Sequence, residues 1–313
     1  MGGLASGDFA SIGECMVELA PTGDGLYRQG FAGDTLNTAW YVRGLMPDGG
    51  RQVRYVSAVG RDALSDSLLA FLSDNGIDTG AVARLDDRTV GLYLITLAGA
   101  ERSFTYWRAQ SAARRLASDP ERLRGALDGV GTAYLSGITL AILEPADRAR
   151  LLSILADVRA DGGEVVFDPN IRPRLWTDRE TMARVTTEGY RVATIALPTF
   201  PDEADVYGDG APSATADRIA ALGVREIVVK NGAEPALLRV AGQPDLLSPA
   251  LTEVQPIDTT GAGDSFNGGY IAARLAGRRP ADAVALGHAV AALVIRHRGA
   301  LAPFAAFANL GVR

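Results

Sequence analysis

Gly261, Gly263 and Asp264 lie in the run Ile257-Asp258-Thr259-Thr260-Gly261-Ala262-Gly263-Asp264-Ser265-Phe266-Asn267-Gly268-Gly269, and their types and spacing suit phosphoryl chemistry. The two glycines let the backbone turn sharply and approach a ligand closely. Phe266, Tyr270, Ile271 and Leu275 recur at near-helical spacing, so a helix is expected to start at Ala262. The first amides of a helix have no partners inside it, and the macrodipole adds partial positive charge there, so the turn is an anion site. Asp264 falls in the first turn, where the dipole is expected to keep it ionised. A carboxylate beside a phosphate-stabilising turn is placed to act as a base that activates a hydroxyl. Read alone, the same residues also describe an ordinary helix start.

Other stretches carry chemistry in the same way. In Gly33-Asp34-Thr35-Leu36-Asn37 a glycine and polar side chains open a second helix, with Asp34 or Thr35 as an ordinary N-cap being the simpler reading. Along the extended stretch Phe104-Thr105-Tyr106-Trp107-Arg108, Phe104, Tyr106 and Arg108 share one face. Tyr106 offers a hydroxyl, and Arg108 a planar fork suited to a carboxylate. Asp168-Pro169-Asn170-Ile171-Arg172-Pro173-Arg174-Leu175-Trp176 follows an apolar strand, and its two prolines hold the loop extended so that Arg172 can reach a cleft. Lys230, the only lysine in the chain, ends another strand before Asn231 and Gly232; it suits either a phosphate or an ion pair.

The elements that must position these residues alternate regularly after residue 118. Helices expected at about 119–127, 145–161, 179–188 and 213–222 precede strands at 132–135, 164–168, 193–197 and 226–230. Runs such as Val165-Val166-Phe167 and Ile227-Val228-Val229 read as strands buried on both faces, hence a mostly parallel sheet flanked by helices. Extended pieces at about 16–31 and 90–108 break that rhythm and are expected to form a small separate β-sheet, a lid, with a hairpin turn at 98–101. The whole of 1–313 reads as one α/β domain. Ligands of such sheets bind beyond the carboxyl ends of the strands, where Asp168, Lys230 and the 198–203 segment fall.

Composition narrows the class. The chain has 313 residues, 47% apolar and 22% charged, with net charge −6, so neither nucleic acid nor an anionic membrane is an expected partner. No apolar run reaches the ~20 residues of a membrane span, and no basic region leads into an apolar stretch at the start, so no secretory leader is expected. Cys15 is the only cysteine, which suits the cytoplasm. No Walker A or GxGxxG motif is present, and the two histidines, His288 and His297, form no metal cluster.

The Ile257–Gly269 run resembles the C-terminal signature of the ribokinase-like sugar kinases, the PfkB family, and the likeness extends from Gly13 to Ala300. The resemblance implies a ribokinase-like fold and ATP-dependent phosphorylation of a sugar, with Asp264 as catalytic base and the amides of Gly261, Ala262 and Gly263 stabilising the phosphoryl group. The versions of Gly13-Glu14-Cys15-Met16, Gly33–Asn37, Gly91-Leu92-Tyr93 and Arg102–Ala113 are similar to the branch that phosphorylates 2-keto-3-deoxygluconate. It implies that Gly33, Asp34, Asn37, Tyr93, Tyr106, Arg108 and Arg172 hold a sugar acid, with Arg172 also meeting the transferred phosphate. Lys230, Gly232, Thr199, Gly261, Gly263 and His288 are the implied nucleotide contacts. Mg²⁺ is implied too, with a monovalent cation such as K⁺ near Asp258. The family's Asn-x-x-Glu motif is altered here to Thr199-Phe200-Pro201-Asp202, so Asp202 and the adjacent Glu203 are both candidates to serve the metal. An exposed lid face implies a homo-oligomer. A kinase for a neutral sugar such as fructose, or a non-catalytic sugar or nucleotide sensor, are the alternatives; the Tyr106–Arg108 stretch and the intact Asp264 element stand against them.

Overall fold

Apolar residues on both faces of successive strands decide the architecture. Along Glu226–Val229, Val228 is buried toward one side and Ile227 and Val229 toward the other, all fully enclosed. Each such side chain contributes roughly 1.5–3 kcal/mol when removed from water, so the sheet is stable only with helices on both faces.

The computed structural model describes residues 4–46, 50–98, 101–250 and 254–312. Residues 1–3 of the leader reading and positions 99–100 of the expected hairpin turn lie outside them. In chain order the first part comprises β1 (Asp8–Ile12), β2 (Met16–Gly23), β3 (Leu26–Ala32), α1 (Asp34–Leu45), β4 (Val53–Val59), α2 (Ala63–Asp74), β5 (Val82–Arg84), β6 (Gly91–Ala98) and β7 (Glu101–Trp107). Then follow α3 (Pro120–Ala126), β8 (Val130–Ser136), α4 (Gly137–Ile142), α5 (Pro145–Ala160), β9 (Glu164–Asp168), α6 (Arg179–Val192), β10 (Ile195–Ala196), α7 (Phe200–Tyr207) and α8 (Pro212–Ala220). The chain ends with β11 (Glu226–Val229), β12 (Ala236–Val240), β13 (Leu246–Ser248), α9 (Ala262–Leu275), α10 (Pro280–Val294) and α11 (Phe304–Phe307).

Nine strands form the main sheet in the order β13-β12-β11-β10-β9-β8-β1-β4-β5. From β11 to β5 every pairing is parallel, and β12 and β13 add antiparallel strands at one edge. The chain leaves β1 toward β4 on one side and later returns through β8 on the other, so the topological switch point lies between β1 and β8. One core layer packs α1, α9 and α10 on the sheet through Leu36, Tyr41, Tyr270 and Val290; the other packs α5, α6 and α8 through Leu151, Val185 and Ile219. Asp62, Asp119 and Asp178 cap α2, α3 and α6 by accepting from first-turn amides. At α1 the N-cap is Gly33 with no side-chain cap, and Asp34 lies inside the first turn instead of capping it.

The expected small sheet is present, with strand order β3-β2-β6-β7. The register pairs Glu18 with Tyr93 and Tyr93 with Tyr106, so Met16, Tyr93, Ile95, Phe104 and Tyr106 share one face, and Met16, Ala32, Tyr93 and Ile95 bury a small core there. The segment after β10 departs from expectation. No helix was expected there, yet α7 starts at Phe200, with Pro201 in its first turn, where a missing N–H costs nothing.

Helix α9 is pinned at its far end by a buried network. Arg274 Nε donates to Glu226 Oε1 at 2.9 Å, and Tyr270 OH donates to the same oxygen at 2.6 Å. This ties α9 to β11 and fixes where its N-terminus points.

Candidate active site

A cleft of about 470 Å³ opens beyond the carboxyl ends of the parallel strands, with the lid as its upper wall. Glu14 enters it just after β1, Asp168 and Asn170 at the end of β9, Thr199 after β10, Lys230 after β11, and Gly261 to Asp264 from the start of α9.

The turn into α9 depends on Gly261. Its φ of +75° is in the left-handed region, and a Cβ there would approach the Ala300 backbone to 3.1 Å. The Ala262 amide, expected to face a ligand, already donates to Thr259 O at 3.2 Å. The following first-turn amides, of Gly263 and Asp264, have no acceptors inside the helix. Asp264 accepts from Asn37 Nδ2 at 2.7 Å, and its carbonyl accepts from Thr38 Oγ1 at 3.2 Å. The expectation that the dipole keeps Asp264 ionised needs correction. Burial first, then the nearby Asp34 carboxylate, push its pKa up to about 7, against the Asn37 hydrogen bond and Lys230. A carboxyl poised near neutrality is matched to proton abstraction.

Beneath Asp264 lies a polar floor. Asn267 Nδ2 donates to Asp168 Oδ2 at 2.6 Å, while Lys230 Nζ donates to Asn267 Oδ1 at 3.0 Å and meets Asp168 Oδ2 at 3.3 Å. Lys230 is 8% exposed, which rules out a surface ion pair, and its ammonium borders the cleft beside Gly263. Asp168 and Asn170 lie at the strand end expected near the ligand, and Asn267 joins them although sequence reasoning assigned it no role. The signal for Asn267 was its position one helical turn after Asp264, on the same face.

Near Asp264, Asp34 accepts from Asn170 Nδ2 at 2.9 Å. Its pKa is raised, chiefly by burial, against hydrogen bonds from Ser136 and Asn170. Gly33 and Asn37 border it, and Gly33 N donates to Asn37 Oδ1 at 3.4 Å. Tyr106, 51% exposed, and Phe104 hang from the lid. Tyr93 also lines the cleft, but its hydroxyl donates to Glu18; burial is the main reason its pKa is raised. Arg108 is ion-paired with Glu14 instead of being a free guanidinium, with Arg108 Nη2 donating to Glu14 Oε2. Arg172 is exposed to the open cleft, and its Nη1 donates to the carbonyl of Ile171.

The two metal candidates separate. Asp202, in the first turn of α7, lines the cleft beside Thr199; burial raises its pKa and Arg172 opposes that. Glu203 is a correction: it is fully buried, accepts from Tyr190 OH and from Arg218 Nη2 at 2.7 Å each, and faces away from the cleft. Adjacent helix positions point about 100° apart, so only one of the two can face the ligand. Among the described residues no group of three or more His, Cys, Asp or Glu is arranged to hold a metal. Gly232 is exposed at the β11–β12 turn and His288 packs edge-on to Phe266 at 5.1 Å; neither lines the cleft.

The mostly parallel nine-stranded sheet, with the small four-stranded sheet over its cleft, places the chain in the ribokinase-like fold class. The family of pfkB carbohydrate kinases matches residues 7–306, and the chain belongs to that family. Among its relatives, the 2-dehydro-3-deoxygluconokinase of Dickeya dadantii (strain 3937) is 42% identical over 97% of this chain and 99% of its own. The enzyme of that name from Escherichia coli (strain K12) is 41% identical over 94% and 96%. The crystal structure of an aminoimidazole riboside kinase from Salmonella enterica, complexed with aminoimidazole riboside and an ATP analog, shares the fold at TM-score 0.81 and 24% identity, covering 96% of this chain and 98% of that one.

Proposed function

We propose that the protein transfers the terminal phosphoryl group of ATP to the terminal hydroxyl of 2-keto-3-deoxygluconate. The observation that carries this reading is the presence of the Asp264 carboxyl and two arginines, Arg108 and Arg172, in one cleft. Asp264 takes the proton of the attacking hydroxyl, held in place by Asn37. The amides of the first turn of α9, with Lys230 beside them, receive the negative charge of the phosphoryl oxygens. Arg108, Arg172 and Tyr106 hold the carboxylate end, and Asp34 and Asn37 the hydroxyls. PfkB-family kinases use ATP with Mg²⁺; when bound, the ion would supply charge neutralisation for the phosphates, and Asp202 is the cleft carboxylate that would help hold it. Gly232 and His288 are read as the outer border of the nucleotide site, and a monovalent cation near Asp258 belongs to the same reading. Residues 1–313 form one kinase domain in it.

A kinase for a neutral hexose is the second reading. One observation favours it: Glu14 already satisfies part of the charge of Arg108. Steady-state kcat/KM over a panel of keto-deoxy sugar acids, fructose and ribose decides between them. Preference for fructose would overturn the acid reading, and no turnover of any sugar would favour the sensor.

The assembly we propose is a homo-oligomer, since the lid leaves Leu26 67%, Tyr27 46% and Trp107 57% exposed; light scattering on the purified protein measures it. Among the described residues no helix is long and apolar enough to cross a membrane, and a cytoplasmic location is part of the proposal.

A further inference from the structure

Glu14 sits where the chain leaves β1 for the lid, and Arg108 where β7 returns from it, so their ion pair joins the two chain crossings between core and lid. Both side chains are largely enclosed, Glu14 at 1% and Arg108 at 13% exposure, and both line the cleft. The pair is incomplete. Arg108 Nη2 donates to Glu14 Oε2, while Glu14 Oε1 and Arg108 Nε are buried with no partner. Buried charged atoms left unpaired are costly, and an apolar pair of similar volume is often at least as stable. Stability therefore does not account for a glutamate here.

The backbone makes room for this pair. A Cβ on Gly91 would stand 2.8 Å from Glu14 Oε1, 3.0 Å from Met16 Cγ and 3.4 Å from Arg108 Cβ. A Cβ at 91 would press on the Glu14 carboxylate and on Met16, while it would only touch the root of the arginine.

We infer that Glu14 is a positioning residue for sugar-acid recognition: it anchors one nitrogen of Arg108 from the core side and so places the guanidinium in the cleft before the ligand arrives. An arginine has five N–H donors in a rigid fork, so an anchor on one nitrogen leaves others for a ligand carboxylate. Fixing a long side chain in advance removes an ordering cost from the binding step. The same anchor links β1 to the end of β7, so the arginine keeps its aim relative to Asp34 and Asn37, which stand on the core. This inference rests on the sugar-acid reading above.

The test is a mutant cycle on the full chain, read as separate KM and kcat for the sugar acid. Glu14→Gln keeps the shape and loses the charge. It should raise KM about tenfold or more while kcat stays within about threefold, the pattern of lost ground-state binding. The double variant Glu14→Gln/Arg108→Ala should match Arg108→Ala within about twofold, because a residue acting through Arg108 adds nothing once Arg108 is gone. Gly91→Ala leaves both charges in place and should raise KM in the same direction, which keeps the test intact if Glu14→Gln folds poorly; thermal melts report folding for each protein. Additive losses in the double variant, an unchanged KM in Glu14→Gln and Gly91→Ala, or a fall in kcat at constant KM would each overturn the role of Glu14. Failure of the wild type to phosphorylate the sugar acid is a different result, and it overturns the substrate reading on which the inference rests.

Discussion

Asn37 Nδ2 donates to Asp264 Oδ2 across 2.7 Å, joining two helix starts that stand 227 residues apart in the chain. The bond fixes which oxygen of the carboxylate is occupied and leaves the other toward the cleft. It also favours the ionised form, against the burial and the Asp34 charge that raise the Asp264 pKa to about 7.

Asp264→Asn should fold and bind sugar while turning over about 10²–10⁴-fold more slowly, the usual worth of a general base. Pre-steady-state and steady-state kcat with calorimetric sugar binding measure both sides of this. A variant within a few-fold of wild type would remove Asp264 from the proton step.

The raised pKa sets a pH signature with opposite signs for activity and stability. Activity needs the ionised base, so kcat/KM should climb as pH rises through about 7 and level off above. Stability runs the other way. The native carboxyl holds its proton up to about 7 whereas the unfolded chain releases it in the ordinary carboxylate range, so the native state carries the extra proton between them. Stability contributed by this group is therefore present at low pH and lost as pH rises through that window. Melting temperatures of wild type and Asp264→Asn between about pH 4 and 8 should diverge in favour of the variant toward the upper end. Parallel curves would contradict the shift.

Asp202 and Glu203 should separate cleanly on substitution. Asp202→Ala should raise the Mg²⁺ concentration needed for half-maximal rate about 10–100-fold, as loss of an outer-sphere metal partner does. Glu203→Ala should leave that requirement unchanged and destabilise the fold by about 3 kcal/mol, because it strands Tyr190 OH and deprives Arg218 of one of its two carboxylate partners. Urea unfolding and a Mg²⁺ titration on both variants would reverse the assignment if the two effects were exchanged.

Arg108→Ala should cost about 2–5 kcal/mol in binding the sugar acid, or about 30-fold to several thousand-fold in kcat/KM. Its effect on any neutral hexose should be far smaller. Arg172 is exposed beside Asp202 and is expected to meet the phosphoryl group as well, so Arg172→Ala should reduce both substrates together. Proportional losses on acid and hexose in Arg108→Ala would show that Arg108 does not read the carboxylate.

Binding of the sugar acid should close the lid over the cleft and exclude water from the phosphoryl group. Hydrogen exchange in β2, β3, β6 and β7 should slow on adding sugar, most of all around Tyr93 and Tyr106, whose rings stand 5.8 Å apart on the cleft face. Identical protection with and without ligand would mean a lid that does not move.

Much of this protein was legible from the order of its residues. The alternation of apolar runs and helical periods determined a mostly parallel sheet, because strands without a polar face must be covered on both sides. The interruptions at 16–31 and 90–108 marked the lid, and Gly261, Gly263 and Asp264 marked the helix start. These features are local: each depends on the period of a short stretch or the backbone freedom of one residue. The extra helix α7 was missed locally, since a proline in a first turn and a proline in a loop look alike.

Only the tertiary structure decided which charges face the ligand. Asp202 and Glu203 are neighbours with the same chemistry, and the sheet and helix packing turned one to the cleft and the other to Arg218 and Tyr190. Lys230 became part of a buried floor because Asn267 and Asp168 converge on it from two other elements. The proton affinity of Asp264 and the pairing of Arg108 with Glu14 follow from burial and from contacts between residues far apart in the chain. Electrostatic energy depends on distance and local dielectric, and neither is set until the chain has folded.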